Sequence, residues 1–517
     1  MSSATAAPRD TEQCFRLPAL SLGVLAGFTA AKLALHLSLS GRYGYFRDEL
    51  YYLDTARHLA FGYVDMAPLA PLYARLALLL GGSLHVLRAI PAFAGAGVMA
   101  LTIVLTRLLG GDRFAQALAA LCLLVAPGFL IMDSLMTMNA FEPLFWMGAI
   151  AVLIRILQTG NSRLWVWFGV LCGLGLENKH STAFFGFAVV VGLLLTEHRR
   201  EFLKPWIWIG GAIALLIFLP NLIWQIQHHF PTLQDLENVR REGKNVVLPP
   251  GKFIAQQVLT MQPIIFPVWL IGALSLLRRR WSRVLGWAFL AFFVTMMAMH
   301  AKDYYLFPIY PLVLAAGAAA IGRWLQARQI AWPKPAILAV IAAVGAVLFP
   351  VCLPLLSPPR YLAYLQTIHL KLQKAETHME SVWPQPFADQ FGWEDMVREV
   401  AAIYNSLPPE QRARTGILAG NYGEAGAIDF FGPKYGLPKA ICGHQNHYYW
   451  GPPKIDPETV ISIQYGPRWM GRHYREVRAA GTHQNPWGMG EENLTFYLGT
   501  GPNFKFADIW DDLKHWN

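Results

Sequence analysis

The chain has 517 residues, of which 54% are hydrophobic and only 15% charged, and its mean hydropathy is +0.33. This composition excludes an ordinary soluble enzyme and is typical of a protein that crosses a membrane many times. The net charge of +10 does not indicate a nucleic-acid partner, because the basic residues form short clusters between apolar runs and not one continuous face.

Long apolar runs predict about eleven membrane-spanning helices, since a spanning helix needs about 20 such residues. The first run is expected to remain as a helix and not to be cleaved as a signal peptide. Lys32 and His36 lie four residues apart in it and are expected to pair with polar neighbours. The predicted spans are 17–39, 84–107, 114–131, 140–158, 164–178, 181–196, 205–226, 254–277, 284–300, 304–322 and 336–356.

The charges of the connecting segments predict the orientation of these helices. Every alternate connection is basic and the others are mixed or acidic, which is the pattern expected when basic loops stay in the cytoplasm. Residues 1–16 are therefore expected on the cytoplasmic side, and the long connection 41–83 on the outside. These features predict a multi-pass protein of the cytoplasmic (inner) membrane.

The composition changes sharply after about residue 357, where Pro, Gly, Asn, His, Trp and acidic residues replace the apolar runs. Residues 357–517 are expected to form a small soluble α/β domain outside the membrane. Its predicted helices are 394–407 and 422–431, and its predicted strands are 416–419, 460–464 and 494–498. Cys442, His444, His447 and His483 lack the spacing of a zinc site, so no metal is indicated.

Unusual polar residues gather in the connections of one membrane face. The long connection contains Arg47-Asp48-Glu49 among five aromatic residues, followed by Tyr63-Val-Asp-Met-Ala-Pro68. Three further segments of this kind are 133–142, 177–180 and 300–305. Charge beside hydrocarbon is costly, so these loops are candidates for function. A proton or ion pathway is disfavoured, because it needs polar residues near the middle of the membrane.

Carboxylates and lysines at a membrane surface suit the transfer of a group from a lipid-linked phosphate. A carboxylate acts as general base on an acceptor hydroxyl, and cationic side chains hold the departing phosphate. A transporter or flippase of a lipid-linked or small substrate is the main alternative, suggested by the number of helices, although the chain shows no internal repeat. A third alternative is a protein that binds a lipid-linked donor without turnover.

The ordered motifs resemble the bacterial glycosyltransferase family 39 proteins, which are relatives of the protein O-mannosyltransferases and of the lipid A aminoarabinose transferase. The similar segments are 46–52, 63–68, 136–139, 173–179 and 301–308. The resemblance implies a GT-C fold over residues 17–356, with a catalytic outside loop at 41–83. It also implies a polyprenyl-phosphate monosaccharide as donor, usual inversion of the anomeric centre, and an extracytoplasmic glycan, lipid or protein as acceptor.

The same resemblance implies catalytic roles for the Asp-Glu pair of the first loop. Asp48 would be the general base that deprotonates the acceptor hydroxyl. Glu49 would be its partner and would orient a neighbour or the acceptor. The alternative for Glu49 is a structural salt bridge to Arg47 or Arg57.

Substrate-binding roles are implied for residues of the other loops. Lys179 and Lys302 match basic positions that would hold the donor phosphate, although either lysine could simply reach the membrane interface. The remaining implied substrate-binding residues are Asp65, Asn139, Glu142 and Tyr304. Relatives commonly have Asp at position 139, and an amide cannot ionise. Either Asn139 serves only as a hydrogen-bond partner, or Glu142 one helical turn later supplies the charge.

Overall fold

The computed structural model describes residues 17–371, 377 and 381–516. The predicted cytoplasmic segment 1–16 lies outside them. Residues up to 353 form a helical membrane part. Its helices are α1 (Leu22–Leu39), α2 (Arg47–Thr55), α3 (Leu69–Leu79), α4 (Leu84–Leu108), α5 (Arg113–Leu124), α6 (Pro127–Met132), α7 (Met138–Thr159), α8 (Trp165–Asn178), α9 (Thr182–Leu194), α10 (Pro205–Gln227), α11 (Pro231–Arg241), α12 (Pro250–Thr260), α13 (Phe266–Arg278), α14 (Arg283–Ala298), α15 (Tyr310–Ala327) and α16 (Pro333–Cys352).

Within the described residues, seven helices are long and apolar enough to cross a membrane, and two bent pairs raise this number to nine if each pair is one span. Every predicted run contains helix, but α5, α8 and α9 have only 12, 14 and 13 residues. Helices of this length fall short of the roughly 20 residues that cross a bilayer. The multi-pass helical architecture is therefore confirmed, whereas the number eleven stays a prediction.

Small residues bring several of these helices into close contact. A Cβ on Gly272 of α13 would collide with the carbonyl oxygen of Val313 in α15, and one on Gly317 would collide with that of Val268. Glycine is required at both positions because the two backbones touch. Close backbone approach is a common way to join helices in a membrane, where burial of apolar side chains alone gives no advantage over lipid.

The ion pair of Lys32 and Asp133 is enclosed within the helical part. The Lys32 ammonium of α1 lies 2.6 Å from a carboxylate oxygen of Asp133, and both side chains are buried. His36 lies 3.4 Å from the same ammonium on one side and 3.1 Å from the Ser134 hydroxyl on the other. The expected pairing of Lys32 and His36 with polar neighbours is confirmed. Each buried charge is compensated, as the low dielectric of a membrane interior requires.

The C-terminal part combines helices with one five-stranded sheet of order β2-β1-β3-β5-β4. The helices are α17 (Pro358–Thr367), α18 (Gln385–Ala388), α19 (Trp393–Ser406), α20 (Pro409–Arg412), α21 (Tyr422–Phe431), α22 (His447–Trp450), α23 (Pro467–His473) and α24 (Phe506–Leu513). The strands are β1 (Thr415–Leu418), β2 (Ala440–Ile441), β3 (Thr459–Ser462), β4 (Tyr474–His483) and β5 (Leu494–Pro502). The predicted α/β character of this part is confirmed.

The sheet is mixed, and its core reaches into the membrane part. Strand β1 runs parallel to β2 and β3, whereas β5 is antiparallel to both β3 and β4. Helices α19 and α21 cover it with a buried apolar cluster that contains Val397, Ile417 and Ile461. Leu50 of α2 is a fully buried member of the same cluster. The outside loop helix is therefore packed as part of the C-terminal core.

Candidate active site

Helix α2 carries the Asp-Glu pair in its first turn. The Glu49 carboxylate accepts a hydrogen bond of 2.8 Å from the backbone N–H of Phe46, which precedes the helix. Acidic groups in a first turn also interact favourably with the positive end of the helix dipole. Because successive helical residues point about 100° apart, Asp48 and Glu49 face different surroundings.

Glu49 faces the membrane helices and is fully buried. Its two oxygens accept hydrogen bonds of 2.9 and 2.8 Å from Nε and Nη2 of Arg88 in α4. A third bond of 2.9 Å comes from the backbone N–H of Met136. The alternative of a structural salt bridge to Arg47 or Arg57 was wrong in its partner, because Glu49 pairs with Arg88. Glu49 thus joins α2 to α4 and to the segment before α7.

Arg47 points instead to the C-terminal part. Its Nη2 lies 3.0 Å from Glu492 and 3.3 Å from Asp389, and it also pairs with Glu491. Burial raises the pKa of Asp389 to about 7, an effect that the Arg47 charge partly offsets. One guanidinium thus gathers three carboxylates around the start of α2.

Asp48 faces the C-terminal part as well, and it is partly exposed. The hydroxyl of Tyr422, at the start of α21, donates a hydrogen bond of 3.0 Å to its Oδ1. The charge of Asp48 also affects the titration of Tyr52, Asp65 and Asp389, so these groups surround it. The Asp48 carboxylate is therefore partly exposed and is tied to the C-terminal part through the Tyr422 hydroxyl.

Asp65 lies beside the same group of side chains. The Tyr51 hydroxyl donates a hydrogen bond of 3.0 Å to it, and that hydroxyl accepts one of 2.6 Å from the Asn446 amide. Burial raises the pKa of Asp65 to about 8, and the nearby charge of Asp235 adds to this shift. The loop carboxylate at 65 is therefore a proton-holding group at neutral pH.

The pKa of Asp65 predicts a dependence of stability on pH. The folded protein keeps this proton to higher pH than the unfolded chain, so the free energy of unfolding falls as the pH rises from about 4 to about 8. The free energy of unfolding is expected to fall less between pH ~5.5 and pH ~8.5 in Asp65→Asn than in the wild type, by about 1–3 kcal/mol. Thermal denaturation at both pH values tests this. An unchanged difference between the two midpoints in the variant would contradict it.

Lys179 is the centre of a second polar cluster, next to the end of α8. Its ammonium donates hydrogen bonds of 2.8 Å to Asn139 Oδ1 and 3.1 Å to Glu142 Oε2. It lies 4.3 Å from the ring centre of Tyr305 and 5.4 Å from that of Tyr304. Burial opposes the charge, but Glu142 and the two tyrosines outweigh this effect and raise the pKa of Lys179. The ammonium therefore stays protonated.

Both alternatives for position 139 are found together in this cluster. Asn139 serves as a hydrogen-bond partner of Lys179, and Glu142, one turn later in α7, supplies the negative charge. The Ser181 hydroxyl donates to the other oxygen of Glu142. The Lys179 ammonium is thus held between these polar partners and the two tyrosine rings.

Tyr52 connects the two clusters. Burial and the negative charges of Asp48 and Asp65 raise its pKa, and Tyr304 adds a smaller effect in the same direction. Tyr304 in turn lies over Lys179. Lys302 lies near Asp235: burial raises the pKa of Asp235, and the Lys302 charge offsets a small part of this effect. The structure thus brings together Asp48, Asp65 and Tyr52 in one group and Lys179, Asn139, Glu142 and Tyr304 in another, with Tyr52 near both.

Several residues of this region were not singled out from the sequence. Arg88 could have been found, because an arginine within an apolar helix signals a buried partner. Tyr422 and Asn446 could not, because they come from the other end of the chain. Two of the histidines that lack the spacing of a zinc site have protein partners, since His447 lies 2.9 Å from Asp54 and His483 lies 2.7 Å from Glu399. Residues 17–371, 377 and 381–516 contain no group of three or more His, Cys, Asp or Glu arranged to hold a metal ion.

Comparison with known proteins yields both sequence and structural relatives. A family model described as dolichyl-phosphate-mannose-protein mannosyltransferase matches residues 65–224. The lipid A galacturonosyltransferase RgtD of Rhizobium johnstonii is 24% identical over 344 residues, which cover 64% of this chain and 71% of RgtD. Crystal structures of ArnT from Cupriavidus metallidurans, bound to undecaprenyl phosphate and in the apo state, give TM-scores of 0.58 and 0.57 at 14% identity. They cover 92% of this chain and 98% and 97% of ArnT.

The helical part, the loop helix with its carboxylates and the C-terminal sheet together define a membrane protein of the GT-C fold. The GT-C fold expected from the loop motifs is thereby confirmed. The chain is a glycosyltransferase, similar in sequence to the protein mannosyltransferase family and to RgtD.

Proposed function

We propose that the protein transfers a monosaccharide from a polyprenyl-phosphate carrier to a hydroxyl of an extracytoplasmic glycan, lipid or protein. The observation that carries this proposal is the position of Lys179. Its buried ammonium is fixed by Asn139 and Glu142 beneath two tyrosine rings, and Tyr52 connects it to the surroundings of Asp48. A fixed cation and a carboxylate in one region are the groups needed to receive a phosphate and a proton.

The proposed reaction is a single displacement at the anomeric carbon. Asp48 accepts the proton of the acceptor hydroxyl while the acceptor oxygen forms a bond to that carbon. The bond between the carbon and the phosphate oxygen breaks, and its electron pair leaves with the polyprenyl phosphate. Lys179, with Lys302 as a second cation, stabilises the charge that develops on the phosphate. Attack from the face opposite to the leaving group inverts the anomeric centre.

The alternation of basic and acidic connections supports the proposed orientation. The N-terminus would lie in the cytoplasm, and the site would face the outside of the cytoplasmic (inner) membrane. Residues 17–356 would form the transferase domain with the catalytic loop 41–83, and residues 357–517 the outside domain. The contact between α2 and α21 supports this arrangement, because it puts the C-terminal part on the same face as Asp48.

Lys179→Met tests the phosphate site with undecaprenyl phosphate as the probe. We expect its binding to purified protein in lipid nanodiscs to weaken at least about tenfold, since a charged hydrogen bond of about 1.5–3 kcal/mol is lost. The matched control is Lys204→Met, which removes an ammonium paired with Glu201 at 2.6 Å near the other end of α8. About 20 Å separates the two ends of a helix of this length, so the control should bind like the wild type.

Native mass spectrometry of the nanodiscs measures this binding, with phosphatidylglycerol as the competing lipid. Wild-type protein that shows no preference for undecaprenyl phosphate would contradict the proposal. Equal losses in both lysine variants would remove the role of Lys179. Movement of a polyprenyl-phosphate sugar across vesicles without a new glycosidic bond would support the transporter alternative instead.

A further inference from the structure

We propose that Tyr422 of the C-terminal part is a positioning residue of the active site, which holds the Asp48 carboxylate ionised and in one orientation. This inference rests on the proposed function, in which Asp48 is the general base. It means that the transferase site is shared between the membrane part and the C-terminal part. The observation behind it is the hydrogen bond of 3.0 Å from the Tyr422 hydroxyl to Asp48 Oδ1.

The local sequence fixes Tyr422 as the first residue of α21. Asn421 precedes the helix, and its side-chain oxygen accepts hydrogen bonds of 2.9 Å from the backbone N–H groups of Gly423 and Glu424. The Glu424 carboxylate in turn accepts bonds from the backbone N–H groups of Gly420 and Asn421. This reciprocal cap defines where the helix begins. The direction of the Tyr422 side chain is set with it.

Two glycines allow α21 to approach α2 closely enough for the phenol to reach Asp48. A Cβ on Gly426 would lie 2.9 Å from the carbonyl carbon of Leu50, and one on Gly423 would lie 2.7 Å from Cγ of Arg47. Side chains at these positions would push the helices apart, because real Cβ contacts are longer. The Tyr-Gly-x-x-Gly segment thus provides both the phenol that bonds to Asp48 and the glycines that let α21 pack closely on α2.

The ring of Tyr422 is held from both sides, which limits its motion. It lies 4.8 Å from the ring centre of Tyr51 and 5.1 Å from that of His444. Burial and the Asp48 charge raise the pKa of the Tyr422 phenol, so it remains a proton donor. A neutral donor that bonds to a carboxylate stabilises the ionised form of that carboxylate. A general base must be ionised before it can accept a proton.

A purely structural role for Tyr422 would act through packing, and Tyr422→Phe keeps the packing while it removes the hydroxyl. The charged or titratable groups near Asp48 include Arg47, Tyr52, Asp65, Asp389 and Tyr422. In Tyr422→Phe all of these groups remain except the Tyr422 hydroxyl. Loss of the bond should therefore shift the acid limb of the pH–rate profile to higher pH, by on the order of one unit. A change in packing alone would not move that limb.

The assay follows release of undecaprenyl phosphate from undecaprenyl-phosphate mannose and undecaprenyl-phosphate galacturonic acid, with extracted bacterial lipids and glycans as acceptors. For Tyr422→Phe we expect kcat to fall about tenfold at pH values on the acid limb, with unchanged binding of undecaprenyl phosphate. Tyr435→Phe is the matched control, because its hydroxyl bonds to Glu394 at 2.9 Å in the same part of the chain. Gly426→Ala is a second variant, which should shift the acid limb in the same direction by separating the helices.

The outcomes separate this inference from the proposed function. An active wild type whose acid limb stays in place in both Tyr422→Phe and Gly426→Ala would overturn the role of Tyr422. The same fall in kcat in Tyr435→Phe would overturn it too, since the fall would then reflect a general destabilisation of the C-terminal part. A wild type that binds undecaprenyl phosphate but turns over neither donor would overturn the proposed function, and the role of Tyr422 with it.

Discussion

Asp48→Asn is expected to lower turnover by about 10²–10⁴-fold, the usual contribution of a general base. The substitution keeps the shape of the side chain, and the Tyr422 hydroxyl can still donate to the amide oxygen. What is lost is the ability to accept a proton from the acceptor hydroxyl. Binding of undecaprenyl phosphate should be retained, because Lys179 and its partners are untouched.

Single-turnover kinetics with a polyprenyl-phosphate sugar separates these two effects, since binding and chemistry are measured in one experiment. Asp508→Asn, on the exposed side of α24, is a suitable control for the loss of one negative charge. Turnover at the wild-type rate in the Asp48 variant would remove Asp48 from the mechanism. Loss of both binding and turnover would instead assign Asp48 to the binding of the donor.

Arg88→Met is expected to have the largest effect on stability. It leaves the Glu49 carboxylate buried without its bidentate partner, which typically costs about 3–5 kcal/mol in the free energy of unfolding. Arg88 also donates to the backbone oxygens of Arg42 and Gly44 and to the side chain of Gln390. Removal of Arg88 therefore also breaks the hydrogen bonds that join α4 to the loop before α2 and to the start of the C-terminal part.

The midpoint of thermal denaturation in detergent measures this effect. Addition of Glu49→Gln to Arg88→Met should recover part of the stability, because the unpaired charge is then removed. Arg280→Met is the control for loss of an arginine, since its ion pair with Glu197 is largely exposed and should contribute little. An Arg88 variant as stable as the Arg280 variant would show that Glu49 does not depend on Arg88.

The sequence predicted those features that depend on local patterns. Apolar runs predicted the membrane helices, and the α/β character of the C-terminal part followed from alternating short runs. The prediction for 422–431 matches α21, and that for 394–407 differs from α19 by one residue at each end. Strand β4 was not predicted, because it lies at the edge of the sheet and most of its side chains are at least partly exposed. An edge strand needs no clear apolar alternation.

The site was predictable only in its parts. Asp48 and Lys179 were identified as candidates because the sequence alone shows that they are charged residues next to apolar runs, where a charge is costly. Which carboxylate meets which cation depends on packing. Glu49 therefore took an unexpected partner, Arg88, and Tyr422 reached Asp48 across 374 positions of sequence. Pairings over such distances leave no periodicity or spacing in a single sequence.

The enclosed pair of Lys32 and Asp133 has a consequence for how the chain is made. A lysine at the centre of a spanning helix costs about 2.5–3.5 kcal/mol during insertion, and α1 is synthesised about a hundred residues before its partner. We therefore expect the first helix to be synthesised with its charge still uncompensated. Its final placement is expected to depend on the segment after α6, which supplies Asp133. A late segment of the chain would thus secure an early one.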